Sequence, residues 1–508
     1  MAQLLKSAQV VGLEGHVIDV EIDLSPGLYS FSIVGLPDKA VGESKERVSS
    51  AIKSLEARPP NRKNQRVTIS LAPANIKKEG PAFDLPIALA YLLISGQARF
   101  LPAGKLFIGE LSLDGSIRSV KGVLAIAKAA EANGIKEIFV PEGNGEEAAL
   151  ISGINVYEFS RLGDLLLHLE NKSLKEPTPH TPPQIQSLET SFNFSDVKGQ
   201  ESAKRGLEIA AAGGHNSLLV GSPGTGKTML ARAFPSILPP LTEQEMIDVT
   251  LIHSVAGVLQ SARHIITTPP FRHPHHTASY PALIGGGTFP RPGELTLAHC
   301  GVLFLDEFPE FSRDVIESLR QPLEDKVVTV SRAKGTLHFP ARIMLIAAMN
   351  PCPCGNLNSQ KPCVCPPSAV ERYQRKISGP IMDRIDIWLE VYNIDHKKLD
   401  STAPSGESSS TIQGRATRAR DIQRKRFSGK AITTNAEMQA RDIAEWCVLE
   451  PQAKNILEKA ASQLGFSPRT YHRVIKIART IADLADVPTI SDQHILEALQ
   501  YRPTQKAY

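Results

Sequence analysis

The 508-residue sequence has little net charge and no long apolar run, and each absence excludes a class of protein. The net charge is only +4 at pH 7, so a surface for a polyanion must be a local patch. The longest apolar stretch, PIALAYLLI at 86–94, is too short to span a bilayer. The first residues, MAQLLKSAQV, lack the basic head and apolar core of a signal peptide. These features predict a soluble cytoplasmic protein with no membrane partner.

Cysteine is also scarce, with six residues in the chain. Without a secretory signal, these cysteines predict a reducing compartment in which thiols bind a metal or lie buried. Cys352, Cys354, Cys363 and Cys365 form two CxC pairs in a loop rich in glycine and proline. Four thiolates together predict a tetrahedral structural Zn²⁺ site, although zinc knuckles usually carry CxxC. Four free thiols or a redox pair are the alternatives.

A glycine-rich loop, GSPGTGKT at 221–228, stands between the apolar run SLLV and the segment MLARAF. This order of strand, loop and helix is typical of a P-loop, whose backbone N–H groups bind a polyphosphate at a helix N-terminus. Lys227 is expected to reach the β- and γ-phosphates of ATP, and Thr228 to ligate Mg²⁺. The predicted nucleotide-binding residues are Gly221, Ser222, Pro223, Gly224, Thr225, Gly226, Lys227, Thr228 and Met229.

Two further apolar runs end in polar residues that suit ATP hydrolysis. GVLFLDE at 301–307 has the pattern of a buried strand followed by two carboxylates. Asp306 suits the coordination of Mg²⁺, and Glu307 suits a base or polariser for the attacking water. RIMLIAAMNP at 342–351 presents Asn350, whose amide is expected to hold that water in line; an asparagine that caps a turn is the alternative.

Composition divides this α/β multidomain chain into five segments. Residues 1–170 alternate strand-like and helix-like patterns and predict an α/β domain. A proline-rich linker is predicted at 171–189 and a polar linker at 396–411. Between them, 190–395 is predicted to be a P-loop ATPase core with a parallel sheet, and 412–508 a helical lid.

The motifs FRHPHHTAS, LFLDEFPEF, AAMNPCPCG and GPIMDRID resemble those of the ComM/YifB family of magnesium-chelatase-like AAA+ proteins. The resemblance covers nearly the whole chain. It implies a hexameric, DNA-dependent ATPase, a helicase that drives branch migration of recombination intermediates, notably during natural transformation. A chelatase-type motor that remodels a protein partner, and a switch in which ATP only sets oligomeric state, are the alternatives.

The resemblance also implies two arginines in the ATPase mechanism. Arg384, in GPIMDRIDIWLEV, matches the arginine finger, a guanidinium that one subunit supplies to the γ-phosphate of the ATP bound by its neighbour. A salt bridge with Asp383 or Asp386 is the alternative. Arg469 matches the second-sensor arginine of the lid, with Arg473 as its rival. The predicted catalytic residues are therefore Lys227, Asp306, Glu307, Asn350, Arg384 and Arg469.

Two insertions resemble those of the magnesium-chelatase and MCM branch. KVVTVSRAKGTLHFPARI resembles the pre-sensor hairpin of MCM helicases, and Arg332 and Lys334 at its tip are expected to bind DNA in a central pore. A second insertion carries His273, His275 and His276, which lie too close together to share one tetrahedral ion easily. We expect this histidine loop to contact DNA or a neighbouring subunit, packed neutral histidines being the alternative.

The N-terminal segment resembles the proteolytic domain of Lon proteases through KKEGPAFDLPIALA and the later GELSLDGSIRSVKGVLAIAKAAEANG. Ala82 occupies the position of the nucleophilic serine, and Leu124 that of the lysine. Neither side chain can attack a carbonyl or accept a proton, so the domain is predicted not to be a protease. A role in assembly or DNA contact is expected, as in RadA-type recombination proteins.

Overall fold

The computed structural model describes residues 3–180, 182, 192–259, 265–287, 291–332, 335–357, 361–393 and 406–503, with only the backbone at Arg332 and Gly335. The chain divides into two compact units. Unit 1 comprises Met1–Gln184 and Glu243–Ile266, and unit 2 comprises Ile185–Thr242 and Thr267–Tyr508. Within the described ranges, no helix has the length and apolarity needed to cross a membrane.

Unit 1 is built on one mixed sheet. The strands of this unit, including a separate antiparallel pair formed by β6 and β7, are β1 (Gln3–Val11), β2 (Glu14–Pro26), β3 (Ser30–Val34), β4 (Gln65–Ala72), β5 (Lys105–Phe107), β6 (Glu110–Leu111), β7 (Ile117–Arg118), β8 (Glu137–Pro141) and β9 (Asn155–Phe159). The described strands of the main sheet follow the order β3–β4–β2–β1–β5–β8–β9. Antiparallel pairs join β1 to β2 and β2 to β4, while β5, β8 and β9 run parallel. Alternation in β4 buries Val67, Ile69 and Leu71 on one face.

Helices cover this sheet. They are α1 (Lys39–Gly42), α2 (Ser44–Ser54), α3 (Asp84–Ile94), α4 (Val123–Ala132), α5 (Gly145–Ala148) and α6 (Leu162–Leu169), with short 3₁₀ turns at Pro60–Arg62 and Pro81–Phe83. Helix α3 is apolar on every side, and its buried Asp84 accepts hydrogen bonds from Arg47 at 2.6 and 3.0 Å. Ala82 lies in the second 3₁₀ turn, and Leu124 is fully buried in α4.

A helix from the middle of the chain, α9 (Glu243–Ala256), belongs to unit 1. Its Leu251 packs in one apolar cluster with Leu124 and Leu150. The sequence predicts a continuous ATPase core over 190–395, and the structure interrupts that core by assigning 243–266 to the N-terminal unit. Apolar periodicity identifies the buried face of a helix but not the partner that covers it. The sequence therefore could not reveal that this helix belongs to unit 1.

Unit 2 contains a parallel sheet. Its strands, together with those of two small hairpins, are β10 (Ser217–Val220), β11 (Phe271–Arg272), β12 (Gly285–Gly286), β13 (Arg291–Pro292), β14 (Val302–Leu305), β15 (Val327–Arg332), β16 (Gly335–Pro340), β17 (Met344–Met349) and β18 (Ile387–Glu390). The described order is β11–β14–β17–β10–β18, and each neighbouring pair is parallel. The carboxyl ends of all these strands therefore meet at one edge of the sheet, which confirms the predicted parallel architecture.

The helices of unit 2 flank the sheet and form the C-terminal region. They are α7 (Glu201–Gly213), α8 (Lys227–Ala233), α10 (Tyr280–Ile284), α11 (Glu294–Leu297), α12 (Arg313–Ser318), α13 (Arg320–Asp325), α14 (Pro367–Gln374), α15 (Gly379–Met382), α16 (Ser409–Arg426), α17 (Ala440–Trp446), α18 (Pro451–Leu464), α19 (Pro468–Leu484) and α20 (Asp492–Gln500), with 3₁₀ turns at Phe194–Asp196, Phe234–Ile237, Phe308–Glu310 and Asn435–Glu437. The C-terminal region is helical, as predicted, and its apolar faces join the core of the sheet.

The predicted hairpin insertion forms as an antiparallel pair, β15 and β16, with Val327 opposite Pro340 and Arg332 opposite Gly335. Lys334 and the side chain of Arg332, the two predicted DNA contacts, lie outside the described residues. The same holds for much of the two predicted linkers.

Candidate nucleotide-binding site

The P-loop connects β10 to α8 at the carboxyl edge of the parallel sheet. Gly224 and Gly226 have φ values of +79° and +95°, a region that residues with a Cβ rarely enter. A Cβ at Gly221 would lie 2.3 Å from the carbonyl oxygen of Val391. The backbone therefore requires glycine at these positions of the loop.

Lys227, the first residue of α8, points back over this loop. Its Nζ donates to the carbonyl oxygens of Gly221 at 2.6 Å and Ser222 at 2.9 Å, and lies 3.2 Å from Oδ1 of Asn350. Burial lowers the pKa of Lys227, an effect that the Asp306 carboxylate opposes. A buried ammonium at a helix N-terminus is suited to bind a phosphate, since the anion would compensate the charge.

Thr228 and Asp306, the predicted magnesium ligands, lie together. The Thr228 hydroxyl donates to Oδ2 of Asp306 at 2.7 Å, and both residues follow strands, β10 and β14, that end at the same edge of the sheet with β17 between them. A hydroxyl and a carboxylate are the hard oxygen donors that Mg²⁺ prefers, and Mg²⁺ commonly takes few protein ligands beside water and phosphate oxygens. These two residues therefore fit a Mg²⁺ site.

Glu307 follows Asp306 in the left-handed region, with φ of +51°, and its N–H donates to Oδ1 of Asp306 at 2.9 Å. Its carboxylate oxygen Oε2 lies 3.2 Å from Nδ1 of His276. The sequence missed this contact, because the order of residues does not show that β11, which precedes His276, lies beside β14, which leads to Glu307. His273 instead packs on Phe304 with ring centroids 4.6 Å apart, and burial lowers its pKa.

Arg384 and Arg469 lie together at the opposite edge of the same sheet. Arg384 comes shortly before β18, whose first residue, Ile387, is in register with Ser217, the first residue of β10. The Arg384 guanidinium contacts the Glu324 carboxylate, and Arg469 Nη2 lies 3.6 Å from that carboxylate. The partner of Arg384 is therefore Glu324, rather than the Asp383 or Asp386 considered from the sequence. Among the described residues that line the cavity around Arg384 and Arg469, none belongs to the P-loop.

A cavity of about 780 Å³ opens at this amino edge of the sheet. Its cationic lining comes from side chains just before the strands and from helix α19, and includes Lys326, Arg342, Arg384, Arg469, Arg473 and Lys476. Burial lowers the pKa of both Lys326 and Lys476. Five carboxylates line the same cavity, and several pair with these cations, as Glu324 does with Arg384 and Glu437 with Arg342.

The four clustered cysteines lie within bonding reach of one metal ion. The Sγ atoms of Cys352 and Cys354 are 3.4 Å apart, and Cys363 Sγ lies 3.7 and 3.6 Å from them. All four Sγ atoms, including that of Cys365, fall within 4.8 Å of one another. A Zn–S bond of about 2.3 Å places tetrahedral sulfurs about 3.8 Å apart, which these distances match.

The cysteine loop also contacts the P-loop. A Cβ at Gly355, where φ is +77°, would lie 2.4 Å from Cδ of Pro223 and 3.7 Å from Cγ of Asn350. Backbone N–H groups of Cys354 and Leu357 point at the sulfurs of Cys365 and Cys352, at 3.4 and 3.3 Å. The backbone of this loop is therefore organised around the sulfurs on one side and the nucleotide loop on the other.

Three family models match successive parts of the chain. The model described as magnesium chelatase, subunit ChlI, matches residues 193–399, the one described as subunit ChlI of Mg-chelatase matches 20–144, and that of the ChlI C-terminal region matches 406–502. Together they cover both units, and the central match contains the P-loop, the acidic pair and the cysteine loop. Members of such a family are ATPases, which agrees with the geometry around Lys227.

Two curated relatives are similar to this protein over nearly the full length of both sequences. Competence protein ComM of Haemophilus influenzae is 40% identical over 513 residues, which cover 98% of this chain and 97% of the relative. YifB of Escherichia coli is 41% identical over 504 residues, with 98% and 96% covered. DNA repair protein RadA of Brucella abortus is 32% identical over 143 residues, 28% of this chain and 30% of the relative. The chain thus belongs to the ComM/YifB family of magnesium-chelatase-like AAA+ ATPases.

Proposed function

We propose that this protein is an ATP-driven DNA motor of the cytoplasm, a helicase that assembles as a homo-hexamer and promotes branch migration of recombination intermediates. The observation that carries the proposal is the separation of Lys227 from Arg384 across one parallel sheet. An ATP site that needs both residues requires two copies of the chain.

At the carboxyl edge, the side chains have distinct tasks. Lys227 binds the β- and γ-phosphates, and Thr228 and Asp306 hold Mg²⁺, which neutralises charge on the phosphates during transfer. Glu307 accepts a proton from the attacking water, and the Asn350 amide orients that water towards the γ-phosphate. The bond between Lys227 and Asn350 supports this arrangement, because it keeps the phosphate-binding and water-binding groups adjacent.

At the amino edge, we propose that Arg384 and Arg469 act on the nucleotide of the next copy in the ring. A guanidinium that reaches the γ-phosphate stabilises the charge that develops there, so hydrolysis depends on assembly. Their common contact with Glu324 supports one shared target, since both guanidiniums converge on a single carboxylate. Because Arg469 lies on α19, it links the nucleotide state to the helical lid.

For the DNA contact, we propose the tip of the β15–β16 hairpin, with Arg332 and Lys334 directed into the pore. Two cations per subunit would bind backbone phosphates without reading sequence, so affinity would fall steeply with salt. The names of two relatives, a competence protein and a DNA repair protein, support DNA as the partner. The N-terminal unit would serve assembly or DNA binding rather than proteolysis, given Ala82 and Leu124.

For the cysteine cluster, we propose a structural Zn²⁺ held by Cys352, Cys354, Cys363 and Cys365. The sulfur separations and the N–H groups that point at two of the sulfurs support a closed four-thiolate site. Such a metal would fix the loop that packs on Pro223 and Asn350.

The test is the steady-state ATPase rate of the full chain, alone and with single-stranded, duplex and four-way-junction DNA, for wild type and Lys334→Ala. We expect DNA to stimulate hydrolysis and Lys334→Ala to lose that stimulation while keeping the basal rate. A rate indifferent to every DNA would refute the DNA motor. It would favour the alternative that the chelatase family name suggests, an ATPase that remodels a protein partner.

A further inference from the structure

The carboxylate of Glu307 is not fixed by burial. Its side chain is 59% exposed, and the imidazole of His276, 3.2 Å away, is 33% exposed. An exposed glutamate populates several rotamers, and each lost rotamer costs entropy. A hydrogen bond from a partner that is itself held in place would select one rotamer, and Oε2 has such a partner in His276.

The loop that carries His276 is anchored on both sides. Before it, Arg272 pairs with Glu294 through two bonds, Nε to Oε2 at 2.5 Å and Nη2 to Oε1 at 2.7 Å. After it, the Ala278 N–H donates to the carbonyl of His275 at 2.9 Å, and the side chain of Ser279 caps the next helix. A short loop held in this way has little freedom to move the imidazole away.

The two neighbouring histidines make other contacts. His273 packs on Phe304, a residue of the strand that leads to Glu307, and the rings of His275 and His276 lie with centroids 4.1 Å apart. The His275 Nδ1 is engaged with the hydroxyl of Thr277 at 2.9 Å. Of these three histidines, His276 is the one whose ring nitrogen the structure brings to the acidic pair.

We propose that His276 is a positioning residue for ATP hydrolysis, which donates from Nδ1 to Oε2 of Glu307 and leaves Oε1 for the attacking water. The inference rests on the proposed role of Glu307 as the base. A base acts only within hydrogen-bond reach of the proton that it accepts, so an unrestrained carboxylate spends much of its time out of reach. Ground-state binding of ATP does not involve this carboxylate and should not change.

The experiment compares kcat and KM for ATP in the full chain with His276→Ala, His276→Asn and His275→Ala. Asparagine keeps an N–H donor near the position of Nδ1, and His275→Ala removes the adjacent ring without touching Glu307. We expect His276→Ala to lower kcat by about 10- to 100-fold at a KM within about twofold of wild type. His276→Asn should regain most of the rate, and His275→Ala should stay near wild type.

An unchanged or increased kcat in His276→Ala would overturn the proposal. So would an equal loss in His275→Ala and His276→Ala, which would indicate a structural role for the whole loop. Binding of a fluorescent ATP analogue shows whether each variant is folded, and His276→Asn tests the donor if the alanine variant is not. Wild-type protein that hydrolyses no ATP would refute the ATPase itself, whereas wild-type turnover that ignores His276 refutes only its positioning role.

Discussion

The ammonium of Lys227 lies 3.2 Å from the amide oxygen of Asn350, although 123 residues separate them in the chain. They meet because β10 and β17 are parallel neighbours, so the loops after both strands leave at the same edge. The cysteine loop begins two residues after Asn350 and packs on Pro223. One edge of the sheet thus joins the proposed phosphate site, water site and metal site.

Replacing Glu307 with Gln should separate ATP binding from turnover. The amide keeps the size of the side chain but cannot accept the proton of the attacking water, so we expect at least a 100-fold loss of kcat with ATP binding retained. Phosphate release and binding of a fluorescent ATP analogue measure the two steps. Glu310→Gln is the matched control, because this exposed carboxylate pairs with Lys376 at 3.1 Å. Normal turnover in Glu307→Gln would contradict the assignment.

Mixing two inactive variants should restore activity if Arg384 acts on a neighbour. Lys227→Ala keeps Arg384, and Arg384→Ala keeps the P-loop, so mixed rings contain some complete sites. Random assembly of equal amounts makes roughly a quarter of the interfaces complete, and we expect a comparable share of the wild-type ATPase rate. The controls are mixtures of either variant with Arg375→Ala. Arg375 is an exposed arginine that pairs with Glu371. Mixtures that stay inactive at every ratio would argue that Arg384 does not act in trans.

Metal analysis should find about one zinc per chain in protein purified without chelator, as expected for one four-thiolate site. Cys363→Ser should lose the metal and weaken binding of an ATP analogue, since the loop that packs on Pro223 would loosen. Cys300→Ser, outside the cluster, should keep both. Metal-free wild-type protein with full ATP affinity would rule out the zinc site.

Asp483 should stabilise the helical lid. It is 2% exposed and accepts bonds from Arg426 at 2.5 and 2.9 Å, from Arg479 at 3.1 Å and from Asn435 at 2.7 Å. Asp483→Ala leaves guanidiniums buried without their carboxylate, and we expect a loss of about 3–5 kcal/mol in the free energy of unfolding.

Denaturant titration followed by tryptophan fluorescence measures this loss, because both tryptophans of the chain, Trp388 and Trp446, lie in unit 2. The control is Asp421→Ala, an exposed partner of Arg424 at 3.3 Å, which should change stability by less than about 0.5 kcal/mol. Equal effects of the two substitutions would show that the buried cluster contributes no more than a surface pair.

The sequence by itself determined the features that depend on neighbouring residues in the chain. A P-loop needs glycines, a lysine and a threonine in one short segment, and its position between an apolar strand and a helix is visible in the order of residues. Asp306, Glu307 and Asn350 each end an apolar run, and the parallel sheet follows from those runs. The two CxC pairs of the cysteine cluster were likewise visible in the spacing of the cysteines along the chain.

Tertiary structure alone decided which distant groups meet. Helix α9 joins unit 1, Arg384 pairs with Glu324, and His276 reaches Glu307. Each of these contacts joins segments that are far apart in the chain. Apolar periodicity and charge show that a helix face or a side chain needs a partner, but they leave several partners equally favourable. The parallel direction of the strands places their carboxyl ends at one edge, and the order of the strands decides which of those ends are neighbours.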